Sequence, residues 1–278
     1  MSAGISSTEF KLLRDYIEER CGIALGEEKA YLIETRLTKL MALSGCDDFT
    51  QFHRLIKSSN DAALHDKIID AMTTNETLWF RDTHPFVILR EKILPALVLE
   101  LRAGRKQKVR IWSAASSTGQ EAYSIAMTIH EYCRATPGIR PEQFEIVGTD
   151  ISSSALFLAK NARYDAIAIK RGLSDELRDR YFHTDGRIWV VNDPVKNLAT
   201  FQKFNLQDSP SALGRFDIIF LRYVAIYFSL TFKQALFKNL ARAANRPGHL
   251  IIGAVESLRG VNDEFEMKSH GGGYYYTI

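Results

Sequence analysis

What this chain lacks narrows it before anything it contains. In 278 residues it has three cysteines, Cys21, Cys46 and Cys133, far apart and without CxxC or Cys/His spacing. Neither a disulfide framework nor a zinc site is expected, and a reducing compartment fits. No basic stretch followed by an apolar one opens the chain, and no uninterrupted apolar run approaches the length needed to span a bilayer. The reading is a soluble cytoplasmic protein without membrane insertion. An excess of charge is also missing: 36 Lys+Arg against 33 Asp+Glu leave a net charge of +3, too weak to indicate a nucleic-acid partner, so any basic surface is local. With no internal repeat, low-complexity tract or heptad seam, the expected state is a monomer. The fingerprints of the commonest nucleotide folds are absent too, since neither the Gly-Lys-Ser/Thr of a P-loop nor a GxGxxG occurs.

What is present divides the chain in two. From Thr8 to about Asn75 apolar residues recur at three- and four-residue spacing, as in Phe10, Leu13 and Ile17, then Tyr31, Leu32, Leu37, Leu40 and Met41. This predicts a helical domain of about four helices over residues 1–75. Pro85 to Ala103 reads as one long helix, after which short apolar runs alternate with helical segments: VRIWSA, QEAYSIAMTIHEYC, FEIVGTD, SSSALFLAKNA, FDIIFLR, TFKQALFKNLARAA and HLIIGAV. Such alternation predicts a doubly wound α/β sheet over residues 76–278, with ligand at the carboxyl ends of its strands. Residues 181–204 break the rhythm with a DG turn between strand-like runs, predicting a small antiparallel β insertion. The closing YYYTI is expected to be an edge strand beside HLIIGAV.

Four segments can carry chemistry. Ser113 to Gly119, in RIWSAASSTGQEAYSI, are all small, so the backbone of this strand-to-helix loop can approach a ligand, although plain turn chemistry uses the same residues. FEIVGTD ends in Asp150; there a carboxylate can accept both hydroxyls of a ribose, or merely cap the next helix. TTNETLWFRD, residues 73–82, puts Thr, Asn and Arg around Trp79 and Phe80 between the two domains, where a simple linker would also serve. FDIIFLRYVAIYF delivers Arg222 and Tyr223 at a strand end, with Tyr227 following.

Taken in order, TTNETLWFRD, RIWSAASSTGQEAYSIA, VGTDIS, FNL and FDIIFLRYVAIYF resemble the chemotaxis-receptor methyltransferase family, CheR, over essentially the whole chain. That resemblance implies a Rossmann-like class I methyltransferase sheet with an N-terminal all-helical subdomain. It implies methyl transfer from S-adenosylmethionine to receptor glutamates, leaving S-adenosylhomocysteine. It also places cofactor contacts at Asn75, Thr77, Arg81, Glu121, Asp150, Asn205, Leu206, Arg222 and Tyr223, with Arg81 and Tyr227 nearest the transferred methyl. The sequence departs from the family where Tyr223 stands in place of an Asn, and in GAVES, residues 253–257, where the family often has a histidine.

A glutamate carboxylate is ionised at neutral pH, so displacement at a sulfonium methyl needs alignment rather than a general base. This accounts for the absence of any Ser/His/Asp or Cys/His constellation. Receptor methylation sites lie on acidic helices, so Arg36 and Lys39, neighbours on one helix face, are the expected docking pair for methyl-accepting receptors. The short HTDGR turn of the insertion favours a protein that needs no receptor tether; it could instead serve a further regulatory protein partner or only stiffen the fold. Two other classes stay open at this point: a small-molecule methyltransferase of the same fold, and a binding module that holds S-adenosylmethionine without transferring its methyl.

Overall fold

In the computed structural model, which describes residues 4–278, the helical half begins with α1 (Ser7–Cys21). Ser6 caps it: its hydroxyl accepts from the Glu9 N–H at 3.3 Å while the Glu9 carboxylate accepts from the Ser6 N–H at 2.9 Å. Three further helices follow, α2 (Ala30–Leu43), α3 (Phe49–Ser58) and α4 (Ala62–Met72). Phe10, Leu13 and Ile17 are buried as expected, but the inward face of α2 is Ile33, Leu37 and Met41, and Tyr31 is 61% exposed. Residues four apart share a face, whereas Tyr31 lies two before Ile33 and so points nearly opposite.

An extended segment leads into the long helix, which forms as α5 (His84–Ile88), a π-helical turn (Leu89–Ile93) and α6 (Leu94–Arg102). The sheet then builds outward from β1 (Val109–Ala114). After α7 (Gln120–Arg134) comes β2 (Phe144–Asp150), and α8 (Ser153–Asn161) follows it. A small antiparallel sheet interrupts: β3 (Arg163–Tyr164), α9 (Ala166–Lys170), α10 (Asp175–Tyr181), β4 (Phe182–Asp185) and β5 (Ile188–Val191), ordered β3-β5-β4. Next, α11 (Asp193–Lys196) leads to β6 (Ala199–Lys203), β7 (Phe216–Leu221), α12 (Leu230–Ala243), β8 (Ala244–Ile252), β9 (Glu266–His270) and β10 (Gly273–Thr277). The seven-stranded sheet has the order β6-β2-β1-β7-β8-β10-β9, with β10 antiparallel to both neighbours.

Two strand readings are corrected. The expected insertion over 181–204 instead spans residues 163–191, because Ala199–Lys203 pairs in parallel with Ile146–Asp150 and extends the main sheet. YYYTI does pair with β8, at Tyr276 with Leu250, but the sheet edge is β9, whose polar EMKSH carries no strand-like apolar alternation.

Alternate residues of β1 feed two cores. Ile111 packs with Leu94, Val98 and Ile125 on one face, while Trp112 joins Leu13, Leu37, Leu236 and Leu240 on the other. The N-terminal helices thus share a core with the sheet, which brings the end of α1 over the carboxyl ends of its central strands.

Candidate active site

Chain direction reverses around β1: the chain runs outward through β2 and β6, then returns to β7 on the other side. Such a reversal opens a crevice at the strand ends. Here it is a cleft lined by residues of the helical half, the connecting segment and the strand ends.

The β2 wall is made of backbone. Ala115 and Ser117 adopt left-handed φ values of 57° and 50°, and Gly119 reaches 95° where a Cβ would lie 3.1 Å from that of Ala159. Small residues tolerate this path, and the turn aims the Ser117 N–H at Asp150 Oδ2, 2.8 Å away. The Ser152 N–H donates to the other oxygen at 2.9 Å, and the Ser152 hydroxyl caps α8. Asp150 is therefore not the helix cap. Two of the roughly four acceptor positions of its carboxylate are used. Burial pushes its pKa upward in spite of the backbone donors, a cost that hydroxyl donors from a ligand would relieve. The buried Ser116 hydroxyl in the same loop has no hydrogen-bond partner.

TTNETLWFRD forms the roof. The Trp79 indole donates to the Ala168 carbonyl and its N–H to that of Arg171, both at 3.0 Å. At Gly172 a Cβ would meet the Trp79 carbonyl at 2.1 Å, so only glycine lets the two segments close up. The Ser117 hydroxyl donates to the Asn75 carbonyl at 3.0 Å. Phe80, Asp82 and Thr83 then take left-handed φ values in near succession, a concentration of strain beside the cleft.

The β7 wall is ionic. Arg222 is buried and donates to Glu121 at 2.9 Å, to Asp82 at 2.8 Å and to the Arg81 carbonyl at 2.5 Å. Ser113 donates to the other Glu121 oxygen at 2.8 Å. Burial would raise the Asp82 carboxyl, but the Tyr223 hydroxyl and Arg222 outweigh it and hold the group below the ordinary carboxylate range. Glu256 accepts from the N–H groups of Tyr223 and Gly253 at 2.7 and 2.8 Å, and burial pushes its carboxyl upward.

The last wall comes from the helical half. The Ala24 N–H donates to the Tyr227 carbonyl at 2.9 Å, and Ile23 bridges Phe228. Asn205 donates from its side chain to the Arg20 carbonyl at 2.9 Å. Cys21 lines the cleft as a neutral thiol, its pKa pushed up by burial to about 11.

Asn75, Thr77, Arg81, Glu121, Asp150, Asn205, Leu206, Arg222, Tyr223 and Tyr227 all line this one cleft. Arg36 and Lys39 lie apart from it on α2, where Arg36 donates to the Met72 carbonyl at 2.9 Å and Lys39 is exposed. Sequence reasoning missed Asp82, Glu256 and the chain around Cys21. Asp82 adjoins Arg81 and Glu256 lies in the GAVES segment that departs from the family, so both could have been suspected; nothing local marks the chain around Cys21. Among the described residues no His, Cys, Asp and Glu cluster could hold a metal ion, and no helix is long and apolar enough to cross a membrane.

A doubly wound sheet with an antiparallel final strand, a backbone cradle after β1 and a carboxylate closing β2 is the arrangement of an α/β domain that binds a nucleoside-containing cofactor. Residues 75–272 match the CheR methyltransferase SAM binding domain, and residues 8–73 match the CheR methyltransferase all-alpha domain. The chain belongs to the CheR family. It is 41% identical to a chemotaxis protein methyltransferase of Pseudomonas putida, with 99% of each chain covered. A chemotaxis protein methyltransferase of Vibrio parahaemolyticus is 43% identical over 99% of this chain and 98% of its own. One from Salmonella typhimurium is 29% identical over 95% of this chain and 88% of its own.

Proposed function

We propose that the chain converts glutamate side chains of chemotaxis receptors to methyl esters, working in the cytoplasm and recruited to receptor clusters at the membrane. The observation that carries this reading is the cleft itself, in which ten residues scattered from Asn75 to Tyr227 converge. Asp150, with free acceptor capacity and a buried charge, is suited to the ribose hydroxyls of S-adenosylmethionine, and the unpartnered Ser116 hydroxyl offers a further polar contact. The remaining cofactor contacts fall to Asn75, Thr77, Asn205, Leu206 and the backbone at Tyr223.

Bound S-adenosylmethionine supplies an electrophilic methyl on a sulfonium, transferred with the C–S electron pair returning to sulfur. An acceptor carboxylate needs no deprotonation, so this chain's work is to align it and strip its water. Arg81 pairs with that carboxylate through its planar guanidinium, and the Tyr227 hydroxyl orients the acceptor. Glu121, which lines the cleft, contacts the cofactor and at the same time anchors Arg222 and Ser113. Docking of an acidic receptor helix falls to Lys39, assisted by the partly engaged Arg36. A monomer without nucleic-acid partners is sufficient for this reaction.

The test is calorimetric binding of S-adenosylmethionine followed by transfer of labelled methyl to receptor-containing membranes, with the product checked for base-labile ester. Binding followed by receptor ester formation is the expected result. Transfer only to small acceptors, or binding with no transfer, would replace this reading.

A further inference from the structure

Arg81 lies close to Asp82 in the chain and shares its cleft with Glu121, yet among the described residues its side chain makes no ion pair. Its one side-chain hydrogen bond is to the Glu76 carbonyl at 3.1 Å. Both carboxylates are claimed by Arg222, and Asp82 takes a further bond from the Tyr223 hydroxyl at 2.6 Å. What Arg81 meets instead is the face of Tyr223, with the guanidinium carbon 3.7 Å from the ring centroid. Such contact attracts the cation without consuming its hydrogen-bond donors.

Tyr223 occupies a backbone conformation that bulky residues avoid, with φ at 59°. It is secured at both ends: its N–H donates to Glu256 at 2.7 Å and its phenol to Asp82. The ring therefore cannot swing aside without breaking one of these bonds. We infer that Tyr223 is a positioning residue whose ring serves as the platform that keeps the Arg81 guanidinium off the neighbouring carboxylates and presents it to an incoming carboxylate. This rests on the role proposed for Arg81. Two carboxylates reach such a site, the amino-acid end of S-adenosylmethionine and the acceptor glutamate, and the chemistry of recognition is the same for both.

The experiment compares Tyr223→Phe, which keeps the ring and loses the phenol, with Tyr223→Leu, which loses the ring, each in the native and Arg81→Ala backgrounds of the full chain. Two kinds of reading are taken: NMR of the arginine guanidinium groups, and kinetics with separate cofactor-binding constants. Stacking shifts the Arg81 guanidinium protons upfield in the native protein and in the Phe variant, and the Leu variant loses that shift. The Leu variant falls about tenfold in kcat/KM or cofactor affinity, the Phe variant no more than about threefold, and Leu adds nothing once Arg81 is removed. A loss seen in the cofactor Kd assigns Arg81 to the cofactor carboxylate; one seen in the receptor KM assigns it to the acceptor. Unshifted Arg81 resonances in the native protein, a Phe variant as impaired as Leu, or a Leu loss undiminished in the Arg81→Ala background would each overturn the platform. Native protein that forms no receptor ester overturns the proposed function instead, and the NMR comparison still decides the platform.

Discussion

On the β2 side of the cleft a single carboxylate, Asp150, meets only backbone N–H donors, whereas on the β7 side two arginines and three carboxylates crowd behind one strand end. The first arrangement leaves acceptor capacity open and suits a neutral, hydroxyl-rich ligand. In the second, Arg222 is shared between Asp82 and Glu121, backbone N–H groups hold Glu256, and among the described residues Arg81 makes no ion pair. The difference teaches that one cleft can offer open acceptor positions on one side and an unpaired guanidinium on the other, so that hydroxyls and a carboxylate are recognised by separate walls.

Removing the centre of the ionic wall should produce the largest effect. Arg222→Met leaves the partly buried Asp82 and Glu121 without their cation, a loss of about 3 kcal/mol in unfolding free energy that denaturant titration would detect. A shift below 1 kcal/mol would mean that the wall is solvated and the contrast between the walls is false. Asp150→Asn should weaken S-adenosylmethionine binding by roughly tenfold to a hundredfold, read by calorimetry, and cost about 1–3 kcal/mol of stability, since its amide NH2 would face one of the two backbone N–H donors that the carboxylate oxygens now satisfy. Unchanged affinity would show that the backbone cradle suffices.

Glu256 offers a test with a defined sign. Its folded-state pKa is raised, so between the unfolded glutamate value near 4.3 and the folded value the native state holds more protons, and its contribution to stability falls as pH rises. Glu256→Gln keeps an acceptor oxygen for the two N–H groups and removes the buried charge. Its thermal midpoint relative to the native protein should therefore climb from pH 4 to pH 8. A flat difference would place Glu256 in solvent contact. The smallest effects lie outside the cleft: Lys39→Glu should raise the receptor KM severalfold with cofactor affinity and stability unchanged. Arg36→Glu should do the same and also cost about 1 kcal/mol, because Arg36 donates to the carbonyl at the end of α4.

Legibility in the sequence differs between the walls for a physical reason. Small residues from Ser113 to Gly119 and a carboxylate ending an apolar strand are local patterns, and the backbone turns they permit follow from a few neighbouring torsions. The helical periodicity of the first 75 residues and the strand–helix alternation after it are local as well. Misreadings arose where pairing is not local: Ala199–Lys203 looks the same whether it joins a hairpin or the sheet edge, and its register with β2 decides. Tyr31 fits the apolar spacing of α2 as well as its neighbours do, but Ile33, Leu37 and Met41 fill the seam and leave it exposed.

By itself the sequence determined the class of fold, the family and the residues that meet in the cleft, since these reside in short motifs and their order. Tertiary structure alone decided what those residues do to one another. Arg222 bonds partners 101 and 140 positions away, Tyr227 is held through its carbonyl by Ala24, and the ring of Tyr223, whose backbone turns left-handed, meets the Arg81 guanidinium. Pairings at such separations depend on where the sheet and the helical half bring distant segments together, and no local pattern encodes that. RIWSAASSTGQEAYSI thus specifies a loop able to approach a ligand, and the fold supplies Asp150 beneath it and an ionic wall opposite.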